Sequence, residues 1–303
     1  MKIALITDTH FGARNDSLPF NEYFYKFWED IFFPYIDKRG IDTIIHLGDT
    51  MDRRKFVSYK IANDFRRRFL QPIIDRNIDT HILIGNHDTY YKNTNEVNSL
   101  AELIGKKHEN IKFYEENCTV NFGNTPIFFC PWINTENYGS TMKGIQATSA
   151  DTCMGHLEIN GFEMHKGHFS ENGYPKEIFK KFDTVFSGHF HKKSVSGNVT
   201  YLGNAYQLYW NDLTPNGGKL PVININTFYT GFISSDNNEY YNCACITRAL
   251  PEIDYQCIWA DWADFVSQSQ SLISQGYFPA GGQSNLFSNF SQYARIFRPA
   301  SCL

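Results

Sequence analysis

The fold prediction starts from one short stretch, Ile84-Gly85-Asn86-His87-Asp88. It overlaps the end of the apolar run 81–84, whose length and composition are typical of a buried strand. Polar residues directly after such a strand place three polar side chains on one tight loop. In an open α/β sheet, ligands bind at the edge formed by the carboxyl ends of the strands. The stretch therefore predicts a binding site at one edge of a sheet.

Four other motifs have the same form, with polar residues directly after a short run of β-branched and apolar residues. They are Asp8-Thr9-His10, Gly48-Asp49, Gly155-His156 and Gly188-His189-Phe190-His191. The runs before them are residues 3–7, 43–47, 152–154 and 184–187. Because the carboxyl ends of the strands share one edge, we expect all five motifs to meet there.

Seven side chains in these motifs are candidate metal ligands. They are the carboxylates of Asp8 and Asp49, the amide of Asn86, and the imidazoles of His10, His156, His189 and His191. No cysteine is among them, which disfavours a thiolate zinc site and suits manganese, iron or zinc bound by nitrogen and oxygen. Seven ligands are too many for one ion and suit two ions that share a carboxylate. Two ions about 3.5–4 Å apart recur in displacement at phosphorus, so the motifs predict phosphoester hydrolysis.

The order of the motifs, D-x-H, GD, GNH[DE], H and GHxH, resembles that of the calcineurin-like metallophosphoesterase superfamily. Within it, residues 8–12 and 48–54 are most similar to DNA-repair nucleases of the SbcD type. The nuclease subunits of the recombination endonucleases of T-even-type phages are the nearest of these. The likeness runs from Met1 to about Asp212. It implies an α/β fold in which a two-sheet β-sandwich is flanked by helices.

The resemblance also implies a role for each ligand. Asp49 would bridge both ions. The remaining ligands would divide into Asp8, His10 and His191 for one ion, and Asn86, His156 and His189 for the other. His87 would lie outside the metal shell as the catalytic acid, with Asp88 orienting its ring. Asp52 would either hold a histidine of the ligand loops or cap the following turn, and both possibilities stay open.

By resemblance, we expect a manganese-dependent DNA nuclease of a recombination, repair and replication complex. Such enzymes act as 3′ to 5′ exonucleases on duplex ends and as endonucleases on single strands, with a hydroxide activated by two divalent ions. Magnesium, iron and zinc are the alternative ions. The expected partners are DNA, a coiled-coil ATPase of the SbcC type and a second copy of this chain.

The formal charge of −4 is unfavourable for binding a polyanion, but two divalent ions would bring the protein near neutrality. Local charge then decides where DNA makes contact. Two basic clusters flank the expected metal site and are candidates for phosphate contact: Arg53, Arg54 and Lys55, and Lys192 and Lys193. A third basic cluster, at 66–68, is interpreted as the solvated face of a helix.

Three alternatives compete with the nuclease. Residues 48–53 are close to the GDxxDRG motif of protein phosphatases, but Arg54 stands where that motif has glycine. Ile84 likewise stands where phosphatases place an arginine that grips phosphate. A small-nucleotide phosphodiesterase of the same superfamily is the second alternative. A catalytically inactive scaffold is the third, and the complete set of ligands argues against it.

The rest of the pattern predicts the elements between the motifs. Helices are expected at about 19–38, 58–76 and 95–104, and a brief one at 178–182. With the strands, the first two helices form a β-α-β-α-β series and hence a largely parallel sheet. Antiparallel strands of a second sheet are expected at 111–114, 119–122 and 127–132, and a hairpin at 194–208. Trp132 is expected to pack in the core rather than line the cleft.

The composition of the chain changes after Asp212. Residues 214–303 hold 4 of the 28 Lys and Arg residues, four of the seven cysteines and none of the ten histidines. We therefore divide the chain into a metallophosphoesterase domain at 1–213 and an uncertain tail at 214–303. Three interpretations of the tail stay open: a diverged capping domain, a foreign domain, or a non-native continuation made by an out-of-frame or misjoined translation.

The location is predicted from what the sequence does not contain. No apolar run approaches the roughly 18 residues of a transmembrane helix. The chain also enters its first strand at once, without the charged and apolar regions of a signal peptide. Seven cysteines without a CxxC pair are typical of free thiols in a reducing compartment. The cytoplasm is the expected location, that of the host cell if a phage encodes the chain.

Overall fold

The structure, a computed structural model, describes residues 1–105, 108–165, 167–206 and 208, and the backbone of two strands further along the chain. Its centre is formed by two mixed β-sheets packed face to face. The first sheet contains, in this part of the chain, β1 (Lys2–Ile6), β2 (Thr43–His46), β3 (Asp79–Leu83), β4 (Ile111–Tyr114), β13 (Val222–Ile223) and β14 (Ala244–Thr247). Their order is β13-β14-β1-β2-β3-β4. β1 to β4 are parallel to one another, and β14 runs antiparallel to β1.

The second sheet lies against the first. Its described strands are β5 (Cys118–Phe122), β6 (Thr125–Cys130), β7 (Thr152–His156), β10 (Thr184–Gly188), β11 (Ser194–Ser196) and β12 (Val199–Tyr201), in the order β11-β12-β10-β7-β6-β5. The four inner strands are parallel, and the edge strands β5 and β11 are antiparallel to their neighbours. A separate hairpin of β8 (Glu163–His165) and β9 (His168–Phe169) lies within the loop 158–175.

Two long helices follow β1 and β2. α1 consists of Leu18–Lys26, Phe27–Phe32 and Phe33–Arg39, and α2 of Tyr59–Phe65, Arg66–Leu70 and Gln71–Asp75. In each helix the middle segment has π-helical hydrogen bonding, and the third segment has a proline in its first turn, Pro34 or Pro72. Proline has no N–H to donate inside a helix, and the wider π turn accommodates that loss. Two shorter helices, α3 (Ser99–Leu103) and α4 (Tyr138–Ala147), complete the set used below.

The ends of the helices follow from the local sequence. Ser58 caps α2, because its hydroxyl accepts a hydrogen bond from the Ile61 N–H at 3.3 Å. Asn98 caps α3 through its side-chain oxygen, which accepts from the Ala101 N–H at 2.8 Å. α1 ends at Gly40, whose φ of 57° is a left-handed conformation that favours glycine.

Three apolar clusters hold the layers together. The cluster between the sheets joins residues of the first sheet, such as Leu5 and Ile45, to residues of the second, such as Phe129 and Met154. A larger cluster joins the outer face of the first sheet to α1, α2 and α3, with Trp28 fully buried within it. The third joins the outer face of the second sheet to α4 and the loops around it. The order of layers is therefore helix, sheet, sheet, helix.

The predicted fold class is confirmed, since two sheets form a sandwich with helices on the outer faces. The helices predicted at 19–38 and 58–76 correspond to α1 and α2. The hairpin predicted at 194–208 forms as β11 and β12, with Gly197 at a φ of 61° in the turn. The brief helix predicted at 178–182 is a single 3₁₀ turn at Lys176–Phe179.

One prediction about the sheets is wrong. Residues 111–114 do not belong to the second sheet: β4 pairs in parallel with β3, with Ile111 opposite Thr80. The segment between β3 and β4 contains α3 and is long enough for the crossover that a parallel pair requires. Residues 119–122 and 127–132 do form antiparallel strands of the second sheet, β5 and β6, as predicted. The parallel pair of β6 and β7 beside them is connected by α4, a helix that the sequence did not indicate. The composition of α4, YGSTMKGIQA, hides it from the sequence, since two glycines and few apolar residues weaken the helical pattern.

The predicted tail at 214–303 lies outside the described residues except for β13 and β14, and the division at residue 213 stays a prediction. Within the described part of the chain, no helix is both long and apolar enough to cross a bilayer. Cys118, Cys130 and Cys153 are free thiols, and the last two are buried in the core.

Candidate metal centre

The five motifs meet at one edge of the sandwich, where strands of both sheets end. β1, β2 and β3 lead to it from the first sheet, and β7 and β10 lead to it from the second. The side chains brought together are Asp8, His10, Asp49, Asn86, His156, His189 and His191. Both sheets therefore contribute ligands, and the site depends on how they pack against each other.

Four of these residues have a left-handed backbone, although none is glycine. The φ angles are 52° at Asp8, 43° at His10, 55° at Asp49 and 91° at His189. Such a conformation costs about 1–2 kcal/mol for a residue with a side chain. Hydrogen bonds across the site offset this cost: the His189 N–H donates to the Asp8 carboxylate at 3.1 Å, and the His87 N–H donates to the Asp49 carboxylate at 2.8 Å. Strain at these positions marks a functional arrangement.

Glycines allow the loops to approach this closely. A Cβ atom on Gly85 would lie 2.2 Å from the backbone nitrogen of Asp49 and 2.2 Å from its Oδ1. A Cβ atom on Gly188 would lie 2.0 Å from Oγ1 of Thr7 and 2.8 Å from Oδ2 of Asp8. These separations are far below contact distance. The glycines that begin the third and fifth motifs are therefore required by packing.

The first group of ligand atoms comes from Asp8, His10 and His191. Nε2 of His10 and Nε2 of His191 are 3.1 Å apart. Each of these nitrogens is 3.9 Å from Oδ1 of Asp8. The three atoms therefore lie close together at the edge, and their assignment to one ion stays a prediction.

The second group comes from Asp49, Asn86, His156 and His189. Nε2 of His156 is 3.3 Å from Oδ2 of Asp49. Oδ1 of Asn86 is 3.0 Å from Nε2 of His156 and 2.9 Å from Nδ1 of His189. The other nitrogen of His156 donates to the Leu47 carbonyl at 2.7 Å, which leaves Nε2 for the site.

Asp49 connects the two groups. Its Oδ2 is also 3.7 Å from Nε2 of His10, so the carboxylate lies next to ligand atoms of both groups. Within each His and Asp group the ligand atoms lie within 4.8 Å of one another. Nitrogen and oxygen ligands bind first-row divalent ions at about 2.0–2.2 Å. Two ligand atoms of one ion are therefore a few ångströms apart, as they are in both groups. The donor set fits two divalent ions with a shared carboxylate.

Burial and charge set the protonation of the site. Burial alone would lower the pKa of His156, but the carboxylates of Asp49 and Asp8 raise it to about 9. Burial would raise the pKa of Asp49, yet the neighbouring histidines, His156 first, hold it well below its usual range. Burial and the charge of His156 lower the pKa of His189 to about 3. His189 is thus neutral near pH 7, whereas His156 would have to lose a proton in order to bind a metal ion, because a ligand imidazole is neutral.

His87 lies beside the ligands, and its ring is held by Asp52. Nδ1 of His87 donates to the backbone carbonyl of Asp52 at 2.5 Å. The His87 and His10 rings are 4.8 Å apart, edge to face. The carboxylate of Asp52 lies 3.4 Å from Nδ1 of His10, which favours the first of its two possible roles, holding a histidine of the ligand loops.

The predicted role of Asp88 as the residue that orients the His87 ring is wrong. Its carboxylate is fully buried and accepts hydrogen bonds from the N–H groups of Thr50, Met51 and Gly85, at 2.9–3.3 Å. Burial raises its pKa to about 6. Asp88 therefore ties the second motif to the third, and the carbonyl of Asp52 takes the orienting role.

The basic candidates differ in what they contact. Nε and a terminal nitrogen of Arg54 donate to the carbonyls of Thr89 and Tyr91, so this residue also holds two loops together. Arg53 pairs with Asp16 at 2.5 Å. Lys55 is exposed.

The candidates on the other side of the edge follow His191. Lys192 forms an ion pair with Glu163 of β8, and Lys193 is partly buried. The ion pair attaches the β8–β9 hairpin to the segment that carries His191. Phosphate contact by the five basic candidates, Arg53, Arg54, Lys55, Lys192 and Lys193, stays a prediction.

Trp132 is a site residue that the sequence analysis assigned to the core. It is only half-buried, and its ring lies 5.2 Å from that of His189 and 6.1 Å from that of His156. Its position two residues after β6, at the same edge as the five motifs, is the signal that would have found it.

Comparisons with known proteins agree with this geometry. Residues 1–193 match the family described as calcineurin-like phosphoesterase. Exonuclease subunit 1 of Enterobacteria phage T4 is 36% identical over 211 residues, which are 69% of this chain and 60% of that protein. The chain thus spans less than two thirds of the length of this relative.

Solved structures show more distant likenesses. A hypothetical protein from Thermus thermophilus is 14% identical, with a TM-score of 0.38, and the match covers 68% of this chain and 76% of that one. GAP50, described as the anchor in the inner membrane complex of Plasmodium, is 12% identical, with a TM-score of 0.44 and coverage of 72% and 74%. The assignment therefore depends on the family match over residues 1–193, which agrees with the order of the motifs. This chain belongs to the calcineurin-like phosphoesterase family.

Proposed function

We propose that this chain is a manganese-dependent DNA nuclease that hydrolyses phosphodiester bonds at the two groups of ligands. The observation that carries the proposal is the position of Asp49 between the groups, 3.3 Å from His156 and 3.7 Å from His10. A shared carboxylate is what two ions need in order to act together on one phosphate. The name of the phage T4 relative, an exonuclease subunit, supports DNA as the substrate.

In this proposal His87 gives a proton to the leaving oxygen. Its Nδ1 is engaged by the Asp52 carbonyl, so the proton for the substrate is carried on Nε2. The ions bound by the two groups supply Lewis acidity, which lowers the pKa of water and neutralises charge on the phosphate. The Asp52 carboxylate also lies 3.4 Å from Nδ1 of His10, while Nε2 of that ring faces Asp8 and His191.

The phosphatase alternative is disfavoured at one position. Ile84, where phosphatases place an arginine that grips phosphate, has no exposed surface and belongs to the apolar cluster under α1, α2 and α3. Its side chain therefore contributes nothing to a phosphate site. A diester, which exposes less negative charge than a monoester, needs such an arginine less.

The proposal extends to partners and location. The relative is named as a subunit, which supports assembly with a further chain, and we propose a coiled-coil ATPase of the SbcC type and a second copy of this chain. Because DNA is the proposed substrate, the proposed location is the cytoplasm of the cell that holds it. We also propose that residues 1–213 form the nuclease domain and that 214–303 are a separate tail. Limited proteolysis that cuts both parts equally slowly would contradict this division.

A side-by-side assay tests the proposed reaction. The full chain is incubated with manganese and, in separate samples, with a linear duplex, a phosphopeptide and a cyclic nucleotide. We expect the duplex to be degraded and the phosphopeptide to stay intact, with magnesium, iron and zinc compared as alternative ions. Release of phosphate from the phosphopeptide without cleavage of the duplex would refute the nuclease and favour the phosphatase.

A further inference from the structure

Two loops beside the metal centre are tied to each other by Arg54. The first loop follows Asp52, and the second follows His87. Arg54 in the first loop donates to the Thr89 carbonyl at 3.1 Å and to the Tyr91 carbonyl at 2.8 Å in the second. The two loops therefore form one surface, and the residues on it keep a fixed position relative to His87.

This surface exposes three aromatic rings. Phe56 is 60% exposed, Tyr91 is 52% exposed and Tyr90 is 40% exposed. The rings of Tyr90 and Tyr91 are 4.8 Å apart, edge to face. We call the three residues the aromatic ridge. Single exposed apolar residues are common on protein surfaces, but a cluster of large ones marks a place where a partner binds.

Cations accompany the ridge. The guanidinium of Arg53 lies 4.7 Å from the centre of the Phe56 ring, and the ammonium of Lys55 lies 5.9 Å from the centre of the Tyr90 ring. Asp16 pairs with Arg53 and offsets part of its charge, whereas Lys55 and Lys92 are exposed. Aromatic rings alternating with basic side chains are the combination that binds single-stranded nucleic acid, since the rings stack on bases and the cations attract phosphates.

We propose that Phe56, Tyr90 and Tyr91 stack on unpaired bases of a DNA strand whose backbone enters the metal centre. The inference rests on the proposed nuclease function and adds to it the residues that select unpaired nucleotides. The aromatic ridge is close to His87 along the chain. The carbonyl of Asp52 accepts a hydrogen bond from His87, and the next residue, Arg53, contacts the Phe56 ring. A strand that reaches His87 thus passes the ridge within a few nucleotides. A paired base cannot offer its face to a ring, so the ridge selects frayed ends and single strands.

The test compares a strand that has bases with one that does not. Fluorescence anisotropy is measured for a labelled single strand of about 12 nucleotides and for an abasic strand of equal length, with chelator present so that neither is cut. The quantity of interest is the ratio of the two Kd values. Each base stacked on an aromatic ring changes affinity about 5- to 150-fold, so the wild-type ratio should be large.

Three variants separate the ridge from other causes. In the triple variant Phe56→Ala, Tyr90→Ala and Tyr91→Ala, we expect the ratio to fall close to one. Tyr91→Leu keeps apolar bulk but loses the flat ring, and should lower the ratio about 5-fold or more. Phe169→Ala is the matched control, since Phe169 is 61% exposed but lies on β9, outside the ridge, and should keep the wild-type ratio.

Each outcome decides the proposal. If the triple variant keeps the wild-type ratio of Kd values, base stacking on the ridge is refuted, even if both strands bind more weakly. A protein would then be the partner of the ridge. An equal fall in the Phe169→Ala control overturns the assignment to these loops. Hydrolysis of bis(4-nitrophenyl) phosphate by the wild-type chain with manganese is measured in parallel. If that hydrolysis fails, the proposed function fails; if it succeeds and the ratios do not change, only the ridge fails.

Discussion

Replacing His87 by glutamine separates proton donation from metal binding. The structure holds this ring by one hydrogen bond, from Nδ1 to the Asp52 carbonyl, and one of its nitrogens lies within 4.8 Å of ligand atoms of His10 and Asp49. It therefore belongs to the site geometrically, but both predicted shells are complete without it. Loss of a general acid lowers the rate about 10²- to 10⁴-fold, or roughly 3–5 kcal/mol in the barrier. Loss of the hydrogen bond should reduce the free energy of unfolding by only about 1 kcal/mol.

The assay uses two substrates with different leaving groups. The leaving group in DNA is an alkoxide of the sugar, which needs a proton. The leaving group in bis(4-nitrophenyl) phosphate is 4-nitrophenolate, a weak base that leaves without protonation. We expect kcat on DNA to fall by the full factor and kcat on bis(4-nitrophenyl) phosphate to fall by less than about tenfold. Elemental analysis should still find two ions for each chain. His108→Gln, in the turn before β4, is the control and should match the wild type in both assays.

Two results would refute this reasoning about His87. An equal loss on both substrates would mean that His87 does not protonate the leaving oxygen. A missing ion in the variant would mean that His87 is a ligand, as its proximity to His10 and Asp49 also allows.

The other predictions concern the metals and the loops that hold them. Asp49→Ala should lose both ions, because its carboxylate serves both groups, and calorimetric titration with manganese that still shows two sites would contradict the shared role. Manganese at 100 times its Kd should raise the free energy of unfolding of the wild type by about 2.7 kcal/mol for each ion bound, and a melting temperature independent of manganese would oppose a built site. Asp88→Ala leaves three buried N–H groups without an acceptor, so it should lower the free energy of unfolding, measured in urea, by at least about 3 kcal/mol. Asp88→Asn should recover part of this loss. Equal stability of the two variants would argue that these hydrogen bonds do not hold the second motif to the third. Gly85→Ala forces a Cβ atom against Asp49 and should lower stability by about 1–3 kcal/mol and weaken manganese binding, while Gly139→Ala, with open space around it, should do neither.

The ligand positions were accessible from the sequence because strand ends obey a simple rule. A polar residue directly after a buried parallel strand must lie at the binding edge, which is why Asp8 and His156 were placed correctly from positions far apart in the chain. The prediction for β4 is wrong because the short stretch Ile111–Tyr114 has the same local pattern in either sheet, and only the pairing of strands decides between them. The role of Asp88 depends on backbone N–H groups of Thr50 and Met51, which carry no signature in their side chains. Tertiary hydrogen bonds of this kind cannot be predicted from motifs or from hydrophobic periodicity.

The left-handed backbone at Asp8, His10, Asp49 and His189 sets a limit on how this protein can be made more heat-resistant. Glycine at His10 or His189 would relieve about 1–2 kcal/mol of backbone strain without removing the carboxylates of Asp8 and Asp49 that accept hydrogen bonds, so a library selected only for survival at high temperature should accumulate changes at these two positions. Every one of those survivors would lack a side chain that the two ions require. Selection for stability and selection for turnover therefore favour different residues at His10 and His189, and improvement has to be sought elsewhere in the sandwich.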